Sequence, residues 1–302
     1  MEVVGRLVAM LALLLAGTAL RRGGVLGAER TARLNALAYY VALPAVVFVS
    51  TYDQSADELL SRALLVGLIV VMLGTAGIAW VVHRNRSSRP RRSVAVVQSY
   101  HSNLGYLGLP LVAATFDSGI AAIASVIYGV LSLIQLPLTI GIFSLLGSTS
   151  TSIRGEVRRL LTDPVLGALA VGLVVGAVGL VPPSPAIVGL DAIGTLALPL
   201  ALICVGSSLR LGSSSLDVGA TGSVMALKVG CMPALAWIVF STLAVDHAVF
   251  AASIVMLGTP TSVSTYLFAQ EFGGDAAFAS VNVFVTTLVS IVTLSLLVVL
   301  VG

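Results

Sequence analysis

Long apolar runs follow one another along the chain, each about the length of a membrane-spanning helix. A helix needs about 20 largely apolar residues to cross the hydrocarbon core of a bilayer. Ten runs meet this requirement: 3–20, 33–51, 62–82, 94–115, 120–146, 164–181, 186–209, 220–243, 248–268 and 276–301. Only 10% of the residues are charged, against about a quarter in soluble domains. The sequence therefore predicts an all-α integral membrane protein with ten transmembrane helices, spans one to ten.

Basic residues concentrate in the loops on one side of the predicted membrane. Thirteen of the 16 lysine and arginine residues lie in or beside loops one, three, five and seven: Arg21, Arg22, Arg30, Arg33, Arg84, Arg86, Arg89, Arg91, Arg92, Arg154, Arg158, Arg159 and Arg210. The opposite loops carry Asp53, Asp57, Glu58, Asp117 and Asp246, with Arg62 as their base. By the positive-inside rule, the arginine-rich loops are cytoplasmic and both termini lie outside the cell membrane. Membrane topology therefore accounts for the clusters of basic residues, and no nucleic-acid partner is expected.

Five spans in each half give the two halves opposite orientations, as in many secondary transporters. Short words recur between the halves. Ala42-Leu43-Pro44 in span two matches Ala197-Leu198-Pro199 in span seven, and Pro110 in span four has a counterpart in Pro260 of span nine. We therefore expect two inverted five-helix repeats, residues 1–146 and 164–302, joined by a cytoplasmic linker over 147–163.

Small and hydroxyl residues surround the prolines of spans four and nine, in SNLGYLGLP (102–110) and GTPTSVST (258–265). Proline removes a helical hydrogen bond, and broken helices at membrane depth survive only inside protein or beside a wet cavity. Thr259 followed by Pro260 fits a helix N-cap and first helical residue. We expect spans four and nine to be broken and to cross at their prolines. The alternative is a proline kink that serves packing alone.

The second half of each broken span would begin near the membrane centre, where its free N–H groups present about half a positive charge. Two such ends favour a carboxylate. The predicted substrate-binding residues are Asn103, Gly105, Gly108, Pro110, Thr259, Pro260, Thr261 and Ser262.

Four further polar residues are predicted to support this site, and two interpretations remain open for each. Lys228 either snorkels to the cytoplasmic interface or lies near the cavity and counterbalances the anion. His101 either carries a proton or makes an interhelical hydrogen bond. Gln135 and Asn282 either bond between helices or line the cavity.

Four segments carry the motifs of a known family: NLGYLGLP (103–110), LLTDPVLGALAVGLV (160–174), LALPLALICVGSSL (196–209) and TPTSVSTYLFAQEFGGD (259–275). They resemble spans four, six, seven and nine of the auxin efflux carrier family, which includes plant auxin carriers and bacterial carriers of malonate-like acids. In the second segment, Asp163-Pro164 stands where the family usually has Asn-Pro. The resemblance implies a scaffold domain of spans one, two, six and seven. It also implies a transport domain of spans three to five and eight to ten that moves like an elevator.

The resemblance also implies roles for individual residues. In plant members, an asparagine that matches Asn103 contacts the substrate carboxylate. Tyr128 lies close to the position of a polar span-five residue used by plant carriers, from which Gln135 is offset. Homodimers are common in the family. The long cytoplasmic loop of many plant carriers has no counterpart at 147–163, so auxin is not the expected physiological cargo.

We therefore expect a secondary transporter of small organic anions, with carboxylates as cargo and membrane lipids as surroundings. A sodium- or proton-coupled symporter of the bile-acid carrier type is the alternative. It would require carboxylates at mid-span, whereas Asp191 and Glu271 lie near helix ends. An intramembrane enzyme would require clustered polar residues, but the three histidines stand apart at 83, 101 and 247. A non-transporting membrane sensor is less expected.

Cys204 and Cys231 stand alone in apolar runs, so no disulfide, metal site or cofactor is expected.

Overall fold

Helices form every regular element, apart from one isolated β-bridge, in the residues that this computed structural model describes, namely 2–55, 59–86, 88–146, 153–208 and 217–302. The first half contains α1 (Glu2–Arg22), α2 (Ala28–Thr51), α3 (Arg62–His83), α4 (Arg89–Gln98), α5 (Leu104–Thr115) and α6 (Ser118–Leu146). The second half contains α7 (Ile153–Leu161), α8 (Pro164–Ala177), α9 (Ser184–Gly194), α10 (Ala197–Ser208), α11 (Val218–Thr242), α12 (His247–Leu257), α13 (Ser264–Glu271) and α14 (Ala276–Val301).

Six helices of the described chain are long and apolar enough to cross a membrane: α2, α3, α6, α11, α14 and the stretch Ser184–Ser207 that joins α9 to α10. Three shorter apolar helices, α5, α8 and α12, lie where spans four, six and nine are predicted. Large apolar side chains such as Leu133, Leu145 and Val292 are exposed on the outside of the bundle. Because lipid is the solvent for such surfaces, the protein is embedded in a membrane.

Three prolines sit in otherwise continuous helices because a π-helical turn precedes each of them. The turns span Ala38–Ala42, Leu104–Gly108 and Ala226–Cys231. Each ends two residues before a proline: Pro44, Pro110 or Pro233. Proline lacks an N–H group, and its ring clashes with the carbonyl four residues earlier. The wider i→i+5 turn gives that ring room. The expectation that Pro110 breaks span four is therefore wrong.

Breaks do occur in the predicted spans four and nine, but at other residues. In span four the break covers 99–103, between α4 and α5, and in span nine it covers 258–263, between α12 and α13. Pro260 lies inside the second break, four residues before α13 begins. The prediction that Thr259 caps a helix starting at Pro260 is wrong, because the Thr259 hydroxyl donates back to the Met256 carbonyl at 2.8 Å. Thr259 thus closes the end of α12.

The predicted linker over 147–163 contains the helix α7. Ile153, Val157 and Leu161 recur every four residues, the spacing of an amphipathic helix. Residues 147–152 of the linker lie outside the described residues, as do Asp57, Glu58, Leu209 and Arg210 of the predicted loops and spans.

Glycines bring α1 and α10 into close contact. A Cβ atom added at Gly17 would lie 2.2 Å from the Ile203 carbonyl oxygen, and one added at Gly206 would lie 2.0 Å from the Leu14 carbonyl oxygen. The Thr18 hydroxyl also donates to the Gly206 carbonyl at 3.0 Å. Small residues at such interfaces allow membrane helices to approach closely. α2 packs against α8 and α9, while α3 packs against α11 and α6 against α12.

Candidate functional site

The two helix breaks lie directly against each other. The Asn103 N–H donates to the Pro260 carbonyl at 2.9 Å, and the Ser262 N–H donates to the His101 carbonyl at 3.0 Å. Together these bonds form the isolated antiparallel bridge. Buried backbone groups require partners, and each break supplies them to the other.

Gln135 of α6 completes the pairing of the first break. Its Oε1 accepts from the Ser102 N–H at 2.8 Å, and its Nε2 donates to the Ser102 carbonyl at 3.2 Å. The side-chain amide of Gln135 thus makes the pair of hydrogen bonds to the Ser102 backbone that a neighbouring β-strand would make. Both interpretations of Gln135 hold in the structure, because it bonds between helices and also lines a cavity described below.

His101 makes the interhelical hydrogen bond that was one of its two expected roles. Its Nδ1 lies 2.8 Å from the Thr139 Oγ1, and the Tyr100 hydroxyl lies 3.0 Å from the same atom. Thr139 stands one helical turn beyond Gln135 on α6. A single face of α6 therefore holds the break of span four.

Lys228 of α11 is fully buried at the end of α12. Its ammonium donates to the Leu257 carbonyl at 3.0 Å and lies 3.2 Å from the Met232 sulfur. It does not snorkel to an interface in the structure. A cation at a helix C-terminus offsets the partial negative charge there, so Lys228 neutralises the end of α12 that faces the break.

Two buried donors at the breaks have no hydrogen-bond partner among the described residues. They are the side-chain Nδ2 of Asn103, a residue 1% exposed, and the Oγ1 of Thr261, a fully buried residue. Leaving a buried polar group unpaired costs about 1–3 kcal/mol. Such a group at the start of a helix needs an explanation, and a bound ligand is one.

A cavity of about 170 Å³ lies beside the paired breaks. The predicted site residues that line it are His101, Asn103, Gly105, Tyr128, Gln135 and Ser262. A Cβ atom at Gly105 would lie 3.2 Å from the Tyr128 ring, so the glycine lets the start of α5 approach that ring. Asn103 and Ser262 bring one residue from each break to a common wall.

The other predicted residues do not line this cavity: Gly108, Pro110, Thr259, Pro260, Thr261, Lys228 and Asn282. A Cβ atom at Gly108 would lie 2.7 Å from the Met256 sulfur, so Gly108 serves close packing between α5 and α12.

Asn282 bonds between helices rather than lining the cavity. Its Nδ2 donates to the Gln98 Oε1, and the Gln98 Nε2 donates to the Thr265 Oγ1, both at 2.8 Å. This buried network ties α14 to the end of α4 and the start of α13. Sequence reasoning missed Gln98, although a glutamine in the apolar run 94–115 was a visible signal.

Asp163 and Tyr39 also line the cavity, and sequence reasoning missed both as site residues. The Asp163 Oδ1 caps α8 by accepting from the Val165 and Leu166 N–H groups, each at 2.9 Å. The Asp163 Oδ2 accepts from the hydroxyls of Tyr39 and of Tyr128, the latter at 3.1 Å. An acid directly before a proline is an N-cap signal. Because Asp163 lies at the start of a predicted span, the sequence alone did not indicate that it belongs to the site. In the folded protein it lines the cavity beside the breaks.

A larger cavity of about 330 Å³ has Arg21, Thr31, Asn35 and Ser207 on its wall. The Asn35 Nδ2 donates to the hydroxyl of Tyr106 at 3.1 Å, and Tyr106 lines the smaller cavity. This hydrogen bond therefore lies between the two cavities. The unpartnered Asn103 amide belongs to the smaller one, which is why the candidate site is assigned there.

No cluster of three or more metal-ligating side chains is found in the described part of the chain.

Comparison with known proteins identifies the class of the molecule. The model of the membrane transport protein family matches residues 3–149 and 147–298. An "Uncharacterized transporter" of Methanothermobacter thermautotrophicus is 25% identical over 295 residues, covering 95% of this chain and 94% of the relative. A "Putative malonate transporter" of Rhizobium meliloti is 22% identical over 273 residues, covering 87% of this chain and 84% of the relative. The chain is therefore a transporter rather than an enzyme, and it belongs to the membrane transport protein family, that is, the auxin efflux carrier family.

Proposed function

We propose that this protein is a carrier of small organic anions, with carboxylates as cargo, and that the anion binds where the two breaks meet. The observation that carries the proposal is the Asn103 side-chain amide. It is buried on the wall of a cavity, at the start of α5, with no partner among the described residues. An amide N–H in that position suits a carboxylate oxygen.

The electrostatics of the breaks support an anion rather than a cation. α5 begins at Leu104 and α13 at Ser264, so the positive ends of both helices adjoin the paired breaks. The ammonium of Lys228 offsets the negative end of α12 nearby. Among the described residues, the wall of the smaller cavity carries no lysine or arginine, so a carboxylate would be attracted without a full positive charge, which suits a carrier that must release its cargo.

We propose for the whole molecule ten spans in two inverted repeats, with spans four and nine crossing and an elevator-type movement. Arginine-rich loops favour a cell-membrane orientation with both termini outside. The close packing of α1 with α10 and of α2 with α8 supports a scaffold of spans one, two, six and seven. The hydrogen bond from Asn35 of span two to Tyr106 of span four would cross the boundary between scaffold and moving domain.

The substrate class follows from the size of the cavity and from one relative. The cavity of about 170 Å³ has room for a short acid. The Rhizobium meliloti relative is named as a malonate transporter. Short mono- and dicarboxylates, with malonate among them, are therefore the proposed cargo.

Uptake by proteoliposomes that contain the purified full-length chain tests the proposal. A panel of labelled carboxylates and, as controls, organic cations of similar size would be offered. We expect saturable uptake of at least one carboxylate, strongly reduced in Asn103→Ala. Asn85→Ala is the matched control, because Asn85 is exposed in the loop after α3. Cation uptake without carboxylate uptake, or wild-type carboxylate uptake in Asn103→Ala, would contradict the proposal.

A further inference from the structure

The cavity at the breaks contains a carboxylate of the protein itself. Asp163 lines the same cavity as Asn103. It is fixed on one side by the two N–H groups of α8 and on the other by the hydroxyls of Tyr39 and Tyr128. Four hydrogen-bond donors therefore surround the Asp163 carboxylate. A carboxylate anion bound beside Asn103 would therefore share this cavity with Asp163.

The two tyrosine hydroxyls come from different helices. Tyr39 belongs to α2 and Tyr128 to α6, and both line the cavity. A carboxylate guest near Asn103 would compete with Asp163 for these hydroxyls, since each hydroxyl donates one hydrogen bond. A hydrogen bond that a tyrosine hydroxyl donates to the bound anion is therefore no longer available to Asp163.

A carboxylate guest also brings a second negative charge into this small cavity. Two carboxylates that share one site do not both remain ionised readily, and one of them then takes up a proton. Once protonated, Asp163 no longer repels the guest and its O–H group can donate to it.

We propose that binding of the anion is coupled to the uptake of one proton from the aqueous phase by a carboxylate oxygen of Asp163. The protein is then a proton-coupled carrier, in which Asp163 sets the coupling. This inference rests on the anion carriage proposed above and goes beyond it by naming the coupled ion and the group that binds it.

Other titratable groups face Asp163 from the elements packed around it, in the two cavities that it lines: Tyr39, Tyr40, His101, Tyr106, Tyr128 and Arg159. Arg159 of α7 forms an ion pair with Glu271 of α13 at 3.6 Å. His101 is the other candidate proton carrier, and the experiment must separate it from Asp163.

Binding of labelled malonate to the purified full-length chain, measured between about pH 6 and 8, tests the coupling. If one proton accompanies each anion, the apparent affinity of the wild type falls by up to about tenfold per pH unit as the pH rises. A pH indicator in weak buffer should report about one proton taken up per malonate bound. Asp163→Asn should abolish both effects. Asparagine is also a good N-cap, so α8 remains capped. Any effect of the titration of malonate itself is the same for this variant and for the wild type, so the difference between them reports on Asp163.

Two further variants serve as comparisons. Asp246→Asn makes the same change at the N-cap of α12, away from the cavity, and should behave like the wild type. His101→Asn should retain the dependence on pH. The proposal is overturned if Asp163→Asn keeps the wild-type pH dependence, if His101→Asn loses it, or if malonate binds without proton uptake. If no carboxylate binds to the wild type at any pH, anion carriage fails and the coupling fails with it.

Discussion

The break of span four is held from outside, whereas the break of span nine largely caps itself. The backbone of Ser102 bonds to the side chain of Gln135, on a different helix. In span nine, the Thr259 hydroxyl closes α12, and the Ser262 carbonyl accepts from the Thr265 hydroxyl at 2.6 Å. Each break leaves one buried donor without a partner among the described residues, the Asn103 amide or the Thr261 hydroxyl, but of these two residues only Asn103 lines the smaller cavity. The break whose backbone is supported by a partner helix is thus the one that brings its unpartnered residue to the cavity wall.

The largest expected effect is on stability, from Gln135→Leu. This change leaves the buried N–H and carbonyl of Ser102 without partners, and each unpaired group costs about 1–3 kcal/mol. We expect a clear fall in the melting temperature in detergent and a loss of carboxylate uptake. Gln270→Leu is the control, since Gln270 is exposed on α13. Equal melting temperatures for the two variants would show that the break of span four is not held from outside.

Asn103→Ala should lower affinity without lowering stability. A hydrogen bond to a charged group contributes about 1.5–3 kcal/mol, so anion affinity should fall by about 10- to 100-fold. The melting temperature of the empty protein should stay the same or rise, because an unpartnered buried donor is removed. Equilibrium binding and thermal unfolding on the same samples check both expectations. A marked loss of stability would mean that Asn103 has a structural partner.

Substitutions at Lys228 test how the charge at the end of α12, beside the break of span nine, affects anion binding. Lys228→Ala should weaken anion binding more than Lys228→Arg, because arginine retains the positive charge beside the end of α12. Charges at helix ends contribute up to about 2 kcal/mol in partly buried sites, so the alanine variant should lose up to about 30-fold in affinity. Equilibrium binding measures this difference. Equal losses in the two variants would remove charge as the explanation.

The smallest effect should come from Pro110→Ala. Pro110 lies within α5, where alanine continues the helix, so stability should change by about 1 kcal/mol or less. Pro260→Ala adds a buried N–H inside the break of span nine and should reduce uptake more. Parallel uptake assays compare the two. Equal and large losses would restore the original expectation that both prolines mark the breaks.

The long apolar runs correctly predict an all-helical membrane protein, because such runs have few alternatives in a membrane. It does not predict where helices break. Pro110 is the strongest local breaker in span four, yet a π turn accommodates it and the break forms earlier, where Gln135 can reach the backbone. That bond joins residues 33 positions apart.

The candidate site was predictable only in part, for the same reason. Asn103 and Ser262 could be identified from small and hydroxyl residues near prolines. Asp163 could not, since its position just before span six suggested the interface, and only the folded chain directs it toward Tyr39 and Tyr128. Residues whose roles depend on distant partners are the ones that local patterns miss.

The most direct measurement is an experimental structure of the protein with malonate or another transported carboxylate bound. We expect a carboxylate oxygen about 3 Å from the Asn103 Nδ2, between the two breaks and beside Ser262. Density for the acid in the larger cavity beside Arg21, with the Asn103 amide still unpartnered, would contradict it.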